Sequence, residues 1–140
     1  MFTGNYIVTS FKEELLRGVH DFTAHTFKLA LYTNEAILNA GTTAYTESGE
    51  AVGSGYTAGG ADLTAQTPAS DGTTAFVTFD DVSWAAAPLT ARGGLIYNST
   101  VAGTPAVAVL DFGADKIAAD TTFTVQFPAA TSDAAIVRIR

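Results

Sequence analysis

Cysteine is absent from this chain of 140 residues, which excludes disulfide bonds and thiolate chemistry. Charge is also scarce, because Asp, Glu, Lys and Arg together make up 15% of the residues, against about 25% in typical domains. Ala, Thr, Gly and Ser are abundant instead. A surface with few charges and many small side chains can lie close against neighbouring proteins, so we expect a component of a larger assembly.

Basic residues are few and dispersed. Seven Lys and Arg oppose fourteen Asp and Glu, which gives a net charge of −7. Nucleic-acid affinity needs clustered cations against phosphates, so we expect no DNA or RNA partner. No apolar run approaches the roughly 18 residues of a membrane span, and the N-terminal residues lack the basic region and apolar core of a signal peptide. We therefore expect no membrane partner and synthesis in the cytoplasm.

One helix is predicted near the N-terminus. Ser10 is a good N-cap, and Glu13 stands three residues later, which is the spacing of a capping box. The predicted helix runs from Ser10 to Phe22 and contains Gly18. Its apolar stripe consists of Phe11, Leu15, Val19 and Phe22.

Beyond the helix the apolar period changes to two. In segment 27–32 the odd positions are apolar and alternate with Lys28, Ala30 and Tyr32, which predicts a strand with one face in the core. Further strands are predicted over 61–65, 75–79, 82–84, 91–97, 106–112, 121–127 and 134–139. Gly, Pro and Asp mark the turns between them, including Ala87-Pro88 and a break at Asp80-Asp81.

The spacing of these strands predicts an all-β fold, an antiparallel β-sandwich of about seven to eight strands with one N-terminal α-helix. Residues 1–140 are expected to form a single domain, with an N-terminal arm and helix over about 1–24 and the sandwich over about 25–140. The segment from Asn34 to Gly60 is rich in Thr, Gly, Ser and Glu. It is predicted to be a long surface excursion with a short helical turn near Glu35 to Leu38, and excursions of this length are often functional.

The motifs of the chain do not combine into a set of catalytic residues. Asp111-Phe112-Gly113 copies the magnesium-binding tripeptide of protein kinases, but the other kinase motifs are missing, so a strand followed by a turn is expected. Gly53 to Gly60 is Gly-rich yet has no lysine and opens no helix. It therefore predicts positive φ or close backbone approach rather than phosphate binding.

Neither a metal nor a cofactor is expected. His20 and His25 are five residues apart, which suits no single helical face, so they are expected to be solvated or to cap the helix end. The paired carboxylates fit turns rather than a calcium loop; they are Asp80 with Asp81, Glu47 with Glu50, and Asp111 with Asp115. A glycosidase pair stays open from sequence, although Trp84 is the only tryptophan. We expect no enzymatic activity.

Several phrases of the chain, between about Lys12 and Arg138, resemble a family of small structural proteins of tailed bacteriophages. The phrases are specific as a set and weak individually. They are Phe27-Lys-Leu-Ala-Leu-Tyr-Thr33, Gly55-Tyr-Thr-Ala-Gly-Gly60, Trp84, Ala91-Arg-Gly-Gly-Leu-Ile-Tyr-Asn98, Ala106-Val-Ala-Val-Leu-Asp-Phe-Gly113 and Phe123-Thr-Val-Gln-Phe-Pro-Ala129. The stretch from Trp84 to Gly113 reads as two core strands joined by a short polar connection.

This resemblance implies a capsid decoration (cement) protein on the virion surface, made in the host cytoplasm. Its implied partners are the major capsid protein and further copies of itself, as a homodimer or homotrimer. A tail-tube, head-tail adaptor or fibre-base role is the alternative within the virion. A carbohydrate-binding β module is the alternative from another class, and it would need an exposed aromatic platform, for which Tyr32, Tyr45 and Tyr56 are the candidates.

Overall fold

A computed structural model describes residues 1–85, 88–119 and 122–140 of the chain. Across these ranges it has one helix, α1 (Thr9–Leu16), and ten strands. The strands are β1 (Tyr6–Ile7), β2 (Phe27–Tyr32), β3 (Ala61–Asp62), β4 (Ala69–Asp71), β5 (Thr74–Val77), β6 (Val82–Trp84), β7 (Leu89–Asn98), β8 (Ala106–Ala118), β9 (Phe123–Val125) and β10 (Val137–Ile139). No helix in the described part of the chain is both long and apolar enough to cross a bilayer.

The strands form three antiparallel sheets, which confirms the prediction of a mainly-β fold with one helix. The largest has the order β1-β8-β7-β2-β3, the second β10-β5-β4, and the third pairs β6 with β9. Each predicted strand overlaps an observed one, and the short strands β1 and β4 are additional. The predicted start of a strand at Thr121, and Ala87 of the predicted turn, lie outside the described residues.

The centre of the large sheet is the long antiparallel pair β7–β8. Its middle carries Gly93 and Gly94, and a Cβ at Gly93 would lie 2.3 Å from the Leu110 carbonyl oxygen and 2.5 Å from the Phe2 ring. Phe2 is 4% exposed, so the N-terminal arm packs directly onto backbone at this point. The glycines are therefore needed for close packing over the sheet rather than for flexibility.

A bulge divides the β7–β8 pair. The pairing shifts from Ala91 with Lys116 to Gly93 with Asp111, so one residue of β7 opposes four of β8. Gly113 takes a φ of +82° within this bulge. Asp111 accepts a hydrogen bond from the Gly113 N–H at 2.8 Å and contacts Arg92 Nε at 3.4 Å. The kinase-like tripeptide is thus part of a bulge, where positive φ requires glycine.

Strand β2 is buried on both faces, which corrects the prediction of a single core face. Ala30 and Tyr32, expected to face outward, are both fully buried. Tyr32 shares its face with Tyr97, which stacks against Tyr45 of the excursion at 4.7 Å between ring centroids. The excursion therefore folds back over the second face, and a period-two pattern does not reveal that cover because Ala and Tyr suit either environment.

Helix α1 differs from the prediction at both ends. Val8, not Ser10, is the N-cap, and Ser10 lies inside the first turn with its hydroxyl buried and without a hydrogen-bond partner. Gly18 ends the helix instead of lying within it, with a φ of +72°. Its N–H donates to the Leu15 carbonyl at 3.2 Å and that of Val19 donates to the Glu14 carbonyl at 3.0 Å. These two bonds form a Schellman motif, which glycine favours.

Buried side chains from all three sheets and the helix form one hydrophobic cluster. Phe22 stacks on Phe27 with ring centroids 4.4 Å apart. The ring centroid of Phe79 lies 6.3 Å from that of Phe22 and 6.2 Å from that of Phe27. Trp84 is 6% exposed and Tyr97 is 3% exposed, so both are core aromatics, whereas Phe112 is half-buried and packs against the cluster.

Candidate interaction surface

The segment 34–60 lacks helix and strand but is held to the large sheet by backbone bonds. Thr33 N–H donates to the Gly49 carbonyl at 2.9 Å, and Ala51 N–H donates to the Leu31 carbonyl at 2.8 Å. The predicted helical turn near Glu35 to Leu38 is wrong. The chain makes a turn instead, closed by a bond of 3.1 Å from Ala36 N–H to the Thr33 carbonyl. The excursion is therefore a folded loop with fixed ends rather than a loose one.

Glu50 is the centre of a hydrogen-bond network inside the excursion. Its Oε1 accepts from the Tyr45 hydroxyl at 2.5 Å. Its Oε2 accepts from the Tyr56 hydroxyl at 2.6 Å and from the Gly59 N–H at 2.8 Å. Hydrogen bonds to an ionised carboxylate are about twice as strong as neutral ones, so this residue ties three parts of the loop together.

The tyrosines extend that network into the sheet. The Tyr56 hydroxyl also accepts from the Leu31 N–H at 2.8 Å. Tyr97 on β7 donates to the Gly59 carbonyl at 2.5 Å, and Tyr32 on β2 donates to the Thr46 carbonyl at 2.7 Å. Every one of these bonds joins the excursion to a strand of the large sheet, so loop and sheet hold one another in position.

The ionisation of these tyrosines is suppressed. Burial, and then the negative charge of Glu50, raise the pKa of Tyr97 to about 12. Burial also raises the pKa of Tyr32, Tyr45 and Tyr56, with Glu50 as a further cause in each. The phenols are therefore neutral donors across the ordinary pH range, as the network requires.

The same burial corrects the proposed sugar-binding platform. Tyr32 is fully buried and Tyr56 is 9% exposed. The ring of Tyr45 is half-buried and stacked on Tyr97. Because an aromatic platform must offer an open ring face, these three residues do not form one.

Glycines allow the excursion to approach the sheet. A Cβ at Gly60, where φ is +82°, would lie 1.8 Å from the Leu29 carbonyl oxygen. A Cβ at Gly49, where φ is +78°, would lie 2.7 Å from the backbone of Ala36, so this glycine lets two parts of the excursion itself pack together. Gly60 confirms the prediction that the Gly-rich segment provides positive φ and close backbone approach.

Two large aliphatic side chains of the excursion point into solvent. Ile37 is 79% exposed and Val52 is 89% exposed, although their neighbours Ala36 and Ala51 are buried. Val52 borders a shallow hollow of about 230 Å³ whose wall includes Glu50. The excursion thus holds these two apolar side chains in solvent on a fixed backbone.

Both histidines contact Asn98, with His20 buried and His25 half-buried, which corrects the prediction that they are solvated or cap the helix end. Asn98 is fully buried, and its Nδ2 donates to Nδ1 of His20 at 3.1 Å and of His25 at 3.0 Å. His20 Nε2 lies 2.9 Å from Glu14 Oε1. The cluster joins α1, the following turn and the end of β7. No group of three or more potential metal ligands occurs among the residues that the structure describes.

One member of each carboxylate pair has a structural contact. Asp81 Oδ1 accepts from the Phe127 N–H at 2.8 Å, and Asp111 contacts Arg92 in the β7–β8 bulge. Sequence reasoning placed Glu50 in a turn and missed its role as an acceptor for two phenols. A signal was available, because two tyrosines and two glutamates occur within 45–56 of a chain poor in charge.

Comparisons of the chain with protein-family models, with curated proteins and with solved structures find no significant match.

Proposed function

We propose that the protein is a non-enzymatic structural protein of a tailed-phage virion, and within that class a capsid decoration (cement) protein that binds the major capsid protein. The observation that carries the proposal is the excursion 34–60, which is fixed by the Glu50 network while Ile37 and Val52 stand in solvent. The resemblance of several phrases of the chain to phage structural proteins favours the major capsid protein as the partner of this surface. We further propose that the three sheets pack as a β-sandwich.

A fixed loop is suited to binding. Fixing the backbone of one mobile residue costs roughly 1–2 kcal/mol, and a mobile loop would meet that cost on association. Here the backbone of the excursion is already ordered by its bonds to β2 and β7, so that cost is met on folding. The exposed side chains of Ile37 and Val52 then contribute apolar burial at about 25 cal/mol per Å².

The proposed mechanism is repeated clamping of the shell. Packed DNA pushes a capsid outward, and a protein bound across subunit junctions adds buried area at each of them. Specific interfaces bury about 1,200–2,000 Å² in total. A weaker contact is sufficient here because many copies act together on one shell. We propose that the protein acts as a homodimer or homotrimer, which multiplies the contacts of each bound unit.

Binding to heads tests the proposal. Purified protein is expected to co-sediment with expanded, undecorated heads of the phage whose genome encodes it, and to raise the temperature at which they disrupt. The double variant Ile37→Ser/Val52→Ser is expected to lose most of this binding. Ile117→Ser is the matched control, because Ile117 is 69% exposed on β8, outside the excursion.

Copy number separates the capsid role from the alternative within the virion. A decoration protein is present in hundreds of copies per particle, whereas a head-tail adaptor or fibre-base protein is present in a dozen or fewer. Binding to tails alone, or to no part of the particle, would contradict the cement role. A major-capsid gene directly beside this gene would support it.

A further inference from the structure

A second surface feature is formed by residues near the N-terminus and by residues 137–140, together with Ala40 of the excursion. It is a groove of about 780 Å³ walled by β1, α1 and β10 with the residues beside them. We call it the basic groove, because its lining includes Lys12, Arg138 and Arg140 and contains no Asp or Glu side chain. Its volume is within the range of about 300–1,000 Å³ that is typical of ligand sites.

Two of the walls are sheet edges. Among the described strands, β1 pairs only with β8, and β10 pairs only with β5. Each is therefore the last strand of its sheet, and the two sheets end at the same groove. An edge strand offers unpaired N–H and C=O groups to any additional extended chain.

The groove also exposes apolar side chains. Leu16 at the end of α1 is 90% exposed, and Ile139 on β10 is 54% exposed. Both line the groove together with Ile7 and Leu15. Large aliphatic side chains gathered along one concave feature are typical of a protein contact site rather than of ordinary surface.

The charge of the groove opposes that of the rest of the protein. It holds three of the seven Lys and Arg residues of a chain whose net charge is −7. Within the described ranges none of the three takes part in an ion pair, and Arg138 Nη1 donates to the backbone carbonyl of Asp133 instead. These cations therefore remain available to an acidic ligand.

We propose that the basic groove binds an extended segment of a partner protein in which apolar and acidic residues alternate. In an added strand successive side chains point to opposite faces. One set of the partner's side chains would cover Leu16 and Ile139, and the other would lie toward Arg138 and Arg140. This inference does not depend on the proposed capsid role, because it rests on a different surface.

A second copy of the chain is a poorer occupant. A two-fold dimer through the groove would be isologous, so each copy would present the same patch to the other. Lys12, Arg138 and Arg140 would then oppose the same three cations. Like charges facing one another disfavour association, and an acidic segment of another protein has no such conflict.

The test uses the full chain and a defined probe, a peptide of four Val-Glu repeats, titrated while backbone amide NMR shifts are recorded. Saturable shifts are expected at Ile7, Leu16 and Ile139. A peptide of four Val-Lys repeats is expected to produce none. The variant Arg138→Glu/Arg140→Glu is expected to raise the Kd for the Val-Glu peptide at least about tenfold, which corresponds to about 1.4 kcal/mol.

Matched variants on β8 separate the groove from a general effect. Lys116→Glu changes an exposed cation and Ile117→Ser an exposed aliphatic side chain, both outside the groove, and neither is expected to alter the Kd. Leu16→Ser is expected to weaken binding. Equal binding of both peptides, shifts confined to other residues, or no shifts at millimolar peptide would each overturn the proposal. Self-association whose shifts map to the groove would also overturn it.

Discussion

Glu50→Gln is the most informative single substitution. The amide can keep an oxygen at the position that serves Tyr56 and Gly59, but it places an NH₂ group where Tyr45 now donates. Two charge-assisted bonds become neutral, and a third must reverse its direction. Charged bonds contribute about 1.5–3 kcal/mol and neutral ones about 0.5–1.5, so the expected loss of unfolding free energy is about 2 kcal/mol.

Thermal and urea unfolding would measure that loss. At about 2.1 cal/mol/K of unfolding entropy per residue, 2 kcal/mol lowers the Tm of a chain of this size by about 7 °C. Glu50→Ala is expected to cost about 4 kcal/mol, because it leaves the Tyr56 hydroxyl and the Gly59 N–H without an acceptor.

Glu47→Gln is the matched control for this substitution. Glu47 is exposed, lies in the same loop and borders the same hollow, so the change is expected to cost less than about 0.5 kcal/mol. Equal Tm values for the two Gln variants would refute the network as the anchor of the excursion. A Glu50→Gln protein more stable than the parent would show that the desolvation of the buried charge costs more free energy than its hydrogen bonds contribute.

Three further outcomes are expected. The raised tyrosine pKa values mean that the folded state holds protons which the unfolded state releases above about pH 10, the ordinary tyrosine value. The contribution of these tyrosines to the free energy of unfolding is therefore fully present below pH 10 and is lost as the pH rises toward the pKa of about 12 for Tyr97. Alkaline unfolding followed by circular dichroism should coincide with the rise in tyrosinate absorbance. Gly60→Ala should lower the free energy of unfolding by at least about 3 kcal/mol, since its Cβ would overlap the Leu29 carbonyl. Gly72→Ala is also at positive φ but has no neighbour within 4 Å, so it should lower that free energy by only about 1 kcal/mol. Equal losses in urea titrations would refute the steric argument. Ser10→Ala should be neutral or stabilising, because the hydroxyl is buried without a partner, while a loss of about 1 kcal/mol would restore Ser10 as the N-cap.

Local patterns predicted the strands well where burial and periodicity agreed. Segments 91–97 and 106–112 appear within β7 and β8, and most of their residues are small or apolar. The helix ends were harder. Ser10 with Glu13 has the spacing of a capping box, but the chain enters α1 with Val8 buried in the core, and tertiary packing moved the start of the helix.

The network around Glu50 could not be derived from sequence for a different reason. Its members come from the loop, from β2 and from β7, and only the pairing of β2 with β7 brings Tyr97 over the excursion. The meeting of His20 and His25 at Asn98 is likewise a product of topology, since 73 residues separate Asn98 from His25. Sequence spacing carries little information about contacts of that range.

Phe2 packs over Gly93, and this contact bears on the order in which the parts of the chain fold. The β7–β8 hairpin is local, whereas the N-terminal arm must wait for Gly93 and Leu110 to be synthesised and paired. Because loop closure over such a separation is entropically costly, we expect the arm to dock late. Phe2→Ala should then accelerate unfolding while leaving the refolding rate nearly unchanged, a result that stopped-flow kinetics would reveal. The arm would stabilise a sheet that is already assembled, and its detachment would be the first step of unfolding.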